Sequence, residues 1–220
     1  MKMACSLVLL ATLAVLASAG PVPNSANLEA IPDANFVFNP APPNAIADAG
    51  YSQRRTSREW RALTGMGMSQ TSFLLEPCAV RAPHIHQNAN ALLYAVHADS
   101  LMVGFVQENG KLVENTMTSG MSAVFPQGLV HYQFNNACTN ATYVITYDDA
   151  DGGTINIVPA LLALPPNVVT ASLGLNDTYT ISDAPTTNFF PTTEECLDRC
   201  GHDVRAFSLD GRGRRLMLNQ

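Results

Sequence analysis

Lysine is almost missing from this chain. Only Lys2 and Lys111 occur among 220 residues, and charged residues of all kinds make up 14%, against roughly 25% in an ordinary soluble domain. So thin a cationic surface cannot track a phosphate backbone, and nucleic acid is not an expected partner. The 18 acidic residues outnumber the 12 basic ones for a net charge of −6, but they are scattered and form no acidic tail. Beyond the first twenty residues no apolar run approaches the ~20 residues of a membrane-spanning helix. Internal repeats are absent too, which argues against a duplicated barrel. What is plentiful is apolar side chain, 47% of the chain, enough for one sizeable core and hence one domain.

The amino terminus reads as a signal peptide over residues 1–19. Lys2 precedes an apolar stretch from Ala4 to Ala17, and Ala17-Ser18-Ala19 has the small-x-small pattern that signal peptidase cuts, here before Gly20. Cleavage removes Cys5 and leaves four cysteines, Cys78, Cys138, Cys196 and Cys200, an even number suited to an oxidising compartment. The sequons Asn140-Ala141-Thr142 and Asn176-Asp177-Thr178 agree with a secreted glycoprotein.

Four regions follow from the patterning: the leader, an extended arm over 20–52, a folded domain over 53–175, and an extension over 176–220. The arm carries six prolines and one expected short strand, Phe36-Val37-Phe38. Arg54, Arg55, Arg58 and Arg61 surround Trp60, the only tryptophan, and read as a solvated basic face. Short Val-, Phe-, Tyr-, Leu- and Thr-rich segments then alternate with turn signals, which predicts an all-β sandwich or barrel. Expected strands run near 69–75, 91–98, 101–106, 123–125, 131–134, 142–147 and 154–158. Asn109-Gly110 is a two-residue hairpin signal, both positions tolerating positive φ. A short helix is expected over Val168–Leu173, capped by Asn167 and ended by Gly174, and another over Glu194–Cys200 behind a capping-box pattern at Thr192–Glu195. Arg205, Arg212, Arg214 and Arg215 make a basic tail.

The chemistry concentrates in histidine. His84 and His86 are two apart in a β context, so both rings face one side of a strand, and a third imidazole from a neighbouring strand completes a transition-metal site. His131 is that third candidate, standing in Gly120-x5-Pro126-x-Gly128-x2-His131-x3-Asn135, a tight turn leading into a strand that opens on histidine. His97 reads as a packed or surface histidine and His202 as exposed. Asp148-Asp149-Ala150-Asp151-Gly152 lacks the closing glutamate of a calcium loop and reads as a turn.

The spacing around His131 matches the second motif of the cupin superfamily, and Pro83-His84-Ile85-His86 resembles the core of the first. With the leader, Phe125-Pro126-Gln127-Gly128-Leu129-Val130-His131-Tyr132-Gln133-Phe134-Asn135 resembles germin-like proteins, while Glu195-Cys196-Leu197-Asp198-Arg199-Cys200-Gly201 is closer to spherulin-like members. The resemblance covers roughly Asn35 to Gly174. It implies a single cupin jelly-roll barrel with short C-terminal helices, assembled into homo-oligomers, with manganese held by three histidines and one glutamate. It further implies disulfides Cys78–Cys138 and Cys196–Cys200 out of three possible pairings, since the strand ends bearing Cys78 and Cys138 lie close in that topology, and Cys196 and Cys200 share a helical face.

The histidines carry over to His84, His86 and His131. The glutamate falls on Ala91, and the two glycines of the first motif fall on Cys78 and Ala98. Asn88 and Asn90 offer neutral oxygens nearby, though loop polarity accounts for them. Where oxalate-oxidising germins carry asparagine, three residues before the first metal histidine, this chain has Arg81, a candidate carboxylate-binding cation that disfavours oxalate oxidase. Three readings stand. The first is a secreted, extracellular or cell-wall metal-binding cupin, its metal of manganese type by resemblance with zinc or copper as alternatives. The second is a metal-dependent oxidoreductase acting on a small acid or superoxide. The third is a metal-free barrel binding a small carboxylate through Arg81.

Overall fold

A computed structural model describes residues 32, 36–38, 45–47, 49–175 and 190–202. The leader, Asn176 and the basic tail lie outside the described residues. Among the described residues, eleven strands form two antiparallel sheets. In chain order they are β1 (Ala45–Ala47), β2 (Gly50–Arg55), β3 (Ser69–Leu75), β4 (Val80–His86), β5 (Ala91–His97), β6 (Leu101–Val106), β7 (Leu112–Met117), β8 (Ser122–Phe125), β9 (His131–Asn135), β10 (Ala141–Tyr147) and β11 (Thr154–Asn156). One sheet runs β1-β2-β3-β10-β5-β8 and the other β11-β4-β9-β6-β7. The jelly-roll expectation is met. Helices α1 (Ile157–Leu162), α2 (Pro166–Ser172) and α3 (Glu194–Arg199) follow the barrel, and none among the described residues is long and apolar enough to cross a membrane.

Strict alternation builds the core. In β3 and β10 every second residue is buried, so Leu75, Tyr143 and Ile145 meet Leu93, Leu101 and Phe125 between the sheets. That apolar layer is the main source of stability, each fully buried large side chain contributing ~1.5–3 kcal/mol of transfer free energy.

Several local expectations are corrected. Phe36-Val37-Phe38 is not a strand; residues 45–47 and 50–55 pair instead. Gly50 fits there because a Cβ would come within 2.4 Å of the Leu74 carbonyl oxygen. At the Asn109-Gly110 turn only Gly110 has positive φ, and the turn closes from Gln107 O to the Gly110 amide. The strand expected over 154–158 stops at Asn156, because Pro159 is better accommodated in the first turn of α1, where its missing N–H has no intrahelical partner to lose. Pro166 takes the N1 position of α2, displacing Asn167 as the cap. The capping residue of α3 is Thr193, and its side chain makes no cap hydrogen bond; the residue before it, Thr192, forms a bridge with Ala79.

The disulfide pairing is the larger correction. Cys78 is joined to Cys196 and Cys138 to Cys200. The i,i+4 spacing does place Cys196 and Cys200 on one face of α3, but that face lies against the barrel, where Cys78 and Cys138 meet it. Burial of Leu197 beside Cys78 and Cys196 seats the helix, so the C-terminal cysteines tie a distant segment to the barrel instead of clipping one turn.

Candidate metal centre

Strand β4 supplies most of the site by breaking its own alternation. The β4–β9 register shifts between Arg81 and His84, and the irregularity contains Pro83, which has no N–H to give a ladder. In a regular strand residues three apart face opposite sides. Here the bulge turns Arg81, His84 and His86 all inward, each less than a tenth exposed. The direction of Arg81, open from sequence, is therefore into the barrel.

His131 opens β9 directly opposite His84. The turn before it is fastened to the end of β4: the Gly128 amide donates to His86 O at 2.9 Å, and Gln127 Nε2 donates to Gln87 O at 2.7 Å. Gly128 has φ +76°, a conformation that glycine adopts without a Cβ penalty. Ring centroids lie 4.2 Å apart for His84 and His131, 5.0 Å for His86 and His131, and 5.1 Å for His84 and His86. One ligand atom from each of the three rings lies within 4.8 Å of the other two.

The outer nitrogens are engaged. His84 Nδ1 donates to Ala82 O at 2.8 Å, His131 Nδ1 donates to Leu129 O at 2.9 Å, and His86 Nδ1 lies 3.2 Å from Thr154 Oγ1. The two carbonyl bonds fix the tautomer of His84 and His131 and leave their Nε2 with its lone pair free, and the Thr154 hydroxyl is able to accept from His86 Nδ1 in the same way. His86 Nε2 and His131 Nε2 are buried and have no hydrogen-bond partner among the described residues, a costly arrangement unless something binds them. Burial holds all three rings neutral: His84 lies well below the ordinary histidine value, His86 is pushed down to about 3 and His131 to about 4, with Arg81 adding to each. Neutral imidazole is the ligating form. The donor set fits a divalent transition ion.

Ala91 faces the same interior. It is 3% exposed and pairs with Phe125 on one side and Tyr147 on the other, so the fourth position offers a methyl group and no oxygen. Asn88 and Asn90 do not replace it. Asn88 Nδ2 donates to Asp151 O, while Asn90 bonds Asp148 and accepts from the Gln127 amide. The acidic segment 148–152 is a turn, and His97 is exposed.

A cavity of about 290 Å³ opens on His84, His86, Arg81 and Arg54. No aspartate or glutamate lines it. Arg81 donates from Nη1 to Asn156 Oδ1 at 2.8 Å, sits 5.9 Å from the Phe190 ring, and has no carboxylate partner among the described residues. Burial lowers its pKa from the arginine value. Opposite it in the ladder, Gln133 is fully buried with both carboxamide atoms unbonded among the described residues. Of the expected basic face, Arg54, Arg58 and Arg61 are exposed, while Arg55 is half-buried and reaches Ser72 Oγ, Gln53 and the face of Phe38.

The geometry and the comparisons agree. A family model described as Cupin matches residues 36–180. The chain is a cupin. Its relatives are spherulins and germin-like proteins. It is 30% identical to spherulin-1A of Physarum polycephalum over 151 residues, 66% of this chain and 61% of that protein, and 32% identical over 114 residues to a probable germin-like protein of Arabidopsis thaliana, 51% of this chain and 53% of that protein. The cupin thus spans less than two thirds of the length of either relative. Among solved structures it superposes on an oxalate oxidase in complex with glycolate with a TM-score of 0.62, 22% identity and coverage of 68% and 79%. A second superposition, on the oxalate decarboxylase of Bacillus subtilis, a protein with Mn(II) centres, has a TM-score of 0.61 and 17% identity, covering 69% of this chain and 39% of that one. These likenesses establish the fold.

Sequence reading missed Tyr147, Asn156 and Phe190 as cavity walls. Tyr147 had a signal, the inward phase of β10, and packs 4.7 Å from the His86 ring. Asn156 had none beyond its strand, which pairs it with His84. Phe190 had none at all.

Proposed function

We propose that this germin-like cupin is a secreted protein that holds a divalent transition metal through His84, His86 and His131 and receives a small carboxylate beside it through Arg81. The observation that carries the reading is the pair of buried, unbonded Nε2 atoms of His86 and His131, with His86 and His84 lining a cavity that also holds Arg81, a buried arginine with no acidic partner among the described residues. An ion bound there supplies Lewis acidity, and redox chemistry if it is manganese, iron or copper. The protein's own part is electrostatic. Three neutral imidazoles and Arg81 leave the site positive, so the compensating anion comes from the ligand. Asn156 fixes the guanidinium, and Phe73 and Phe190 keep one side of the cavity apolar.

Elemental analysis of the purified protein followed by calorimetric titration with oxalate tests the reading. Stoichiometric metal and saturable oxalate binding are expected, with Arg81→Gln weakening the acid by roughly 10²-fold, the worth of a charge-assisted bidentate pair, while metal content stays unchanged. A parent protein that binds neither metal nor acid would sink the proposal. Turnover of a small acid or superoxide by the loaded protein would extend it to an oxidoreductase. Metal-free protein that still binds oxalate would favour the metal-free barrel.

The absent glutamate sets the metal preference. Manganese needs hard oxygen donors more than zinc or copper does, so the three-histidine centre favours the softer ions relative to a centre with a carboxylate. Ala91→Glu is expected to raise manganese affinity about tenfold or more, and to lower the stability of the metal-free protein by ~1–3 kcal/mol because a larger side chain enters a packed interior. Thermal shift with and without manganese reads both effects.

Secretion is supported by the leader and by the two disulfides, and glycosylation by the exposed position of Asn140. Assembly into homo-oligomers is supported by Leu92, Tyr94, Val96 and Val124, each at least half exposed on the outer face of β5 and β8.

A further inference from the structure

The C-terminal segment forms part of the cavity. From Phe190 onward the described chain runs along the start of β4: the Val80 amide donates to Pro191 O at 2.7 Å, Ala79 bridges Thr192, and the Thr193 amide donates to Cys78 O at 3.2 Å. Helix α3 then anchors the segment through both disulfides, one of them at Cys78, three residues before Arg81. Phe190, 1% exposed, belongs to the main core cluster and lines the cavity shared by Arg81, His84 and His86. Its ring is 5.9 Å from Arg81 Cζ.

An arginine has five N–H donors in a rigid fork. Asn156 takes one edge of Arg81, and the Phe190 ring offers an attractive face without competing as a hydrogen-bond acceptor. On that side the guanidinium is shielded from bulk water, Arg81 being only 7% exposed, and the remaining donors stay available to an anion in the cavity. An anion meeting a desolvated, held guanidinium gains more than one meeting a hydrated, mobile side chain.

We propose that Phe190 is a positioning residue for Arg81, so that affinity for a small carboxylate depends on the disulfide-anchored C-terminal segment. This rests on the carboxylate reading above. Removing the aromatic face, or releasing the segment that carries it, rehydrates Arg81 and weakens anion binding without touching the metal ligands.

The test is calorimetric titration of oxalate into the full-length, metal-loaded protein with its disulfides formed, with metal content measured on every variant. Phe190→Leu, which keeps an apolar side chain but loses the ring, is expected to weaken oxalate about tenfold. Phe190→Tyr restores affinity to within about twofold of the parent. The double variant Cys196→Ser, Cys200→Ser behaves like Phe190→Leu or worse. All should retain parental metal content. If Leu and Tyr at 190 bind oxalate equally, the ring has no special role and the proposal falls while the carboxylate reading stands. Parental affinity in the cysteine variant would remove the dependence on the anchored segment. Oxalate binding that is absent from the parent, with Arg81→Gln indistinguishable from it, overturns the carboxylate reading itself, and this inference with it. Should the cysteine variant fail to fold, the comparison of Leu with Tyr still decides the role of the ring.

Discussion

His131→Ala should empty the centre of metal and leave the barrel standing. Structural zinc sites with four protein ligands are worth ~10–16 kcal/mol; spread evenly, one ligand accounts for ~3 kcal/mol, roughly 10²-fold in affinity. His84 and His86 sit on one strand and would remain as a two-point chelate, too weak to survive dialysis. The fold is less exposed to the change. Losing the ring that stacks 4.6 Å from Phe125 costs on the order of 3 kcal/mol by analogy with other large-to-small core changes. Removing a buried, unbonded Nε2 returns ~1–3 kcal/mol of that. The net cost to the metal-free protein is then ~0–2 kcal/mol, small enough for loss of metal and loss of structure to be separated. His97→Ala, an exposed ring on β5, is the control and should keep its metal. Equal metal content in His131→Ala and the parent, by elemental analysis after dialysis, would show that the ion binds elsewhere.

Breaking Cys78–Cys196, a bridge between two buried residues, should be strongly destabilising. The two residues are 118 apart in sequence, and closing a loop of that size removes unfolded-state entropy worth nearly 5 kcal/mol in the chain-entropy model. The second bridge, between residues 62 apart, lies largely within the same loop, so it retains part of the constraint and the two effects do not add. Replacing Cys78 and Cys196 by alanine is therefore expected to cost ~2–4 kcal/mol and to lower the melting temperature by about 5–15 °C. Chemical denaturation with and without reductant measures it. A non-reducing peptide map checks the pairing: a fragment holding Cys196 and Cys200 joined to each other would contradict both the connectivity and the stability effect, because so short a loop constrains little.

The strands were legible in the sequence where alternation is strict. β3 falls at its expected residues, and β10 within one residue of them, because each carries a clean inward face. β2 was hidden: Arg54 and Arg55 make it read as a charged surface, and only its pairing with β3 reveals it as a strand. β7 was missed because its exposed outer face, with Glu114 and Asn115, gives it no apolar period. The histidines were legible because a turn motif and an i,i+2 spacing are local. What could not be read is what depends on pairing between distant segments. The disulfides exchanged partners because the docking of α3 is decided by Leu197 and the two buried cysteines, which no spacing rule encodes. Phe190 reaches the cavity for the same reason.

Pro83 has an effect on how such a site can vary. By shifting the phase of β4 between residues 81 and 84, it divides one strand into two inward-facing halves that obey separate parities. Both halves pair with β9, but the half holding His84 and His86 is also fastened to the Gly128 turn, whereas the Arg81 side chain is held by Asn156 and faced by Phe190. Straightening the bulge with all its residues kept would turn Arg81 outward, whereas deleting its one extra residue would restore the regular register with Arg81 and the histidines all facing inward. The end of the cavity lined by Arg81 can thus vary without disturbing the three histidines, because the turn that fastens His86 does not include it.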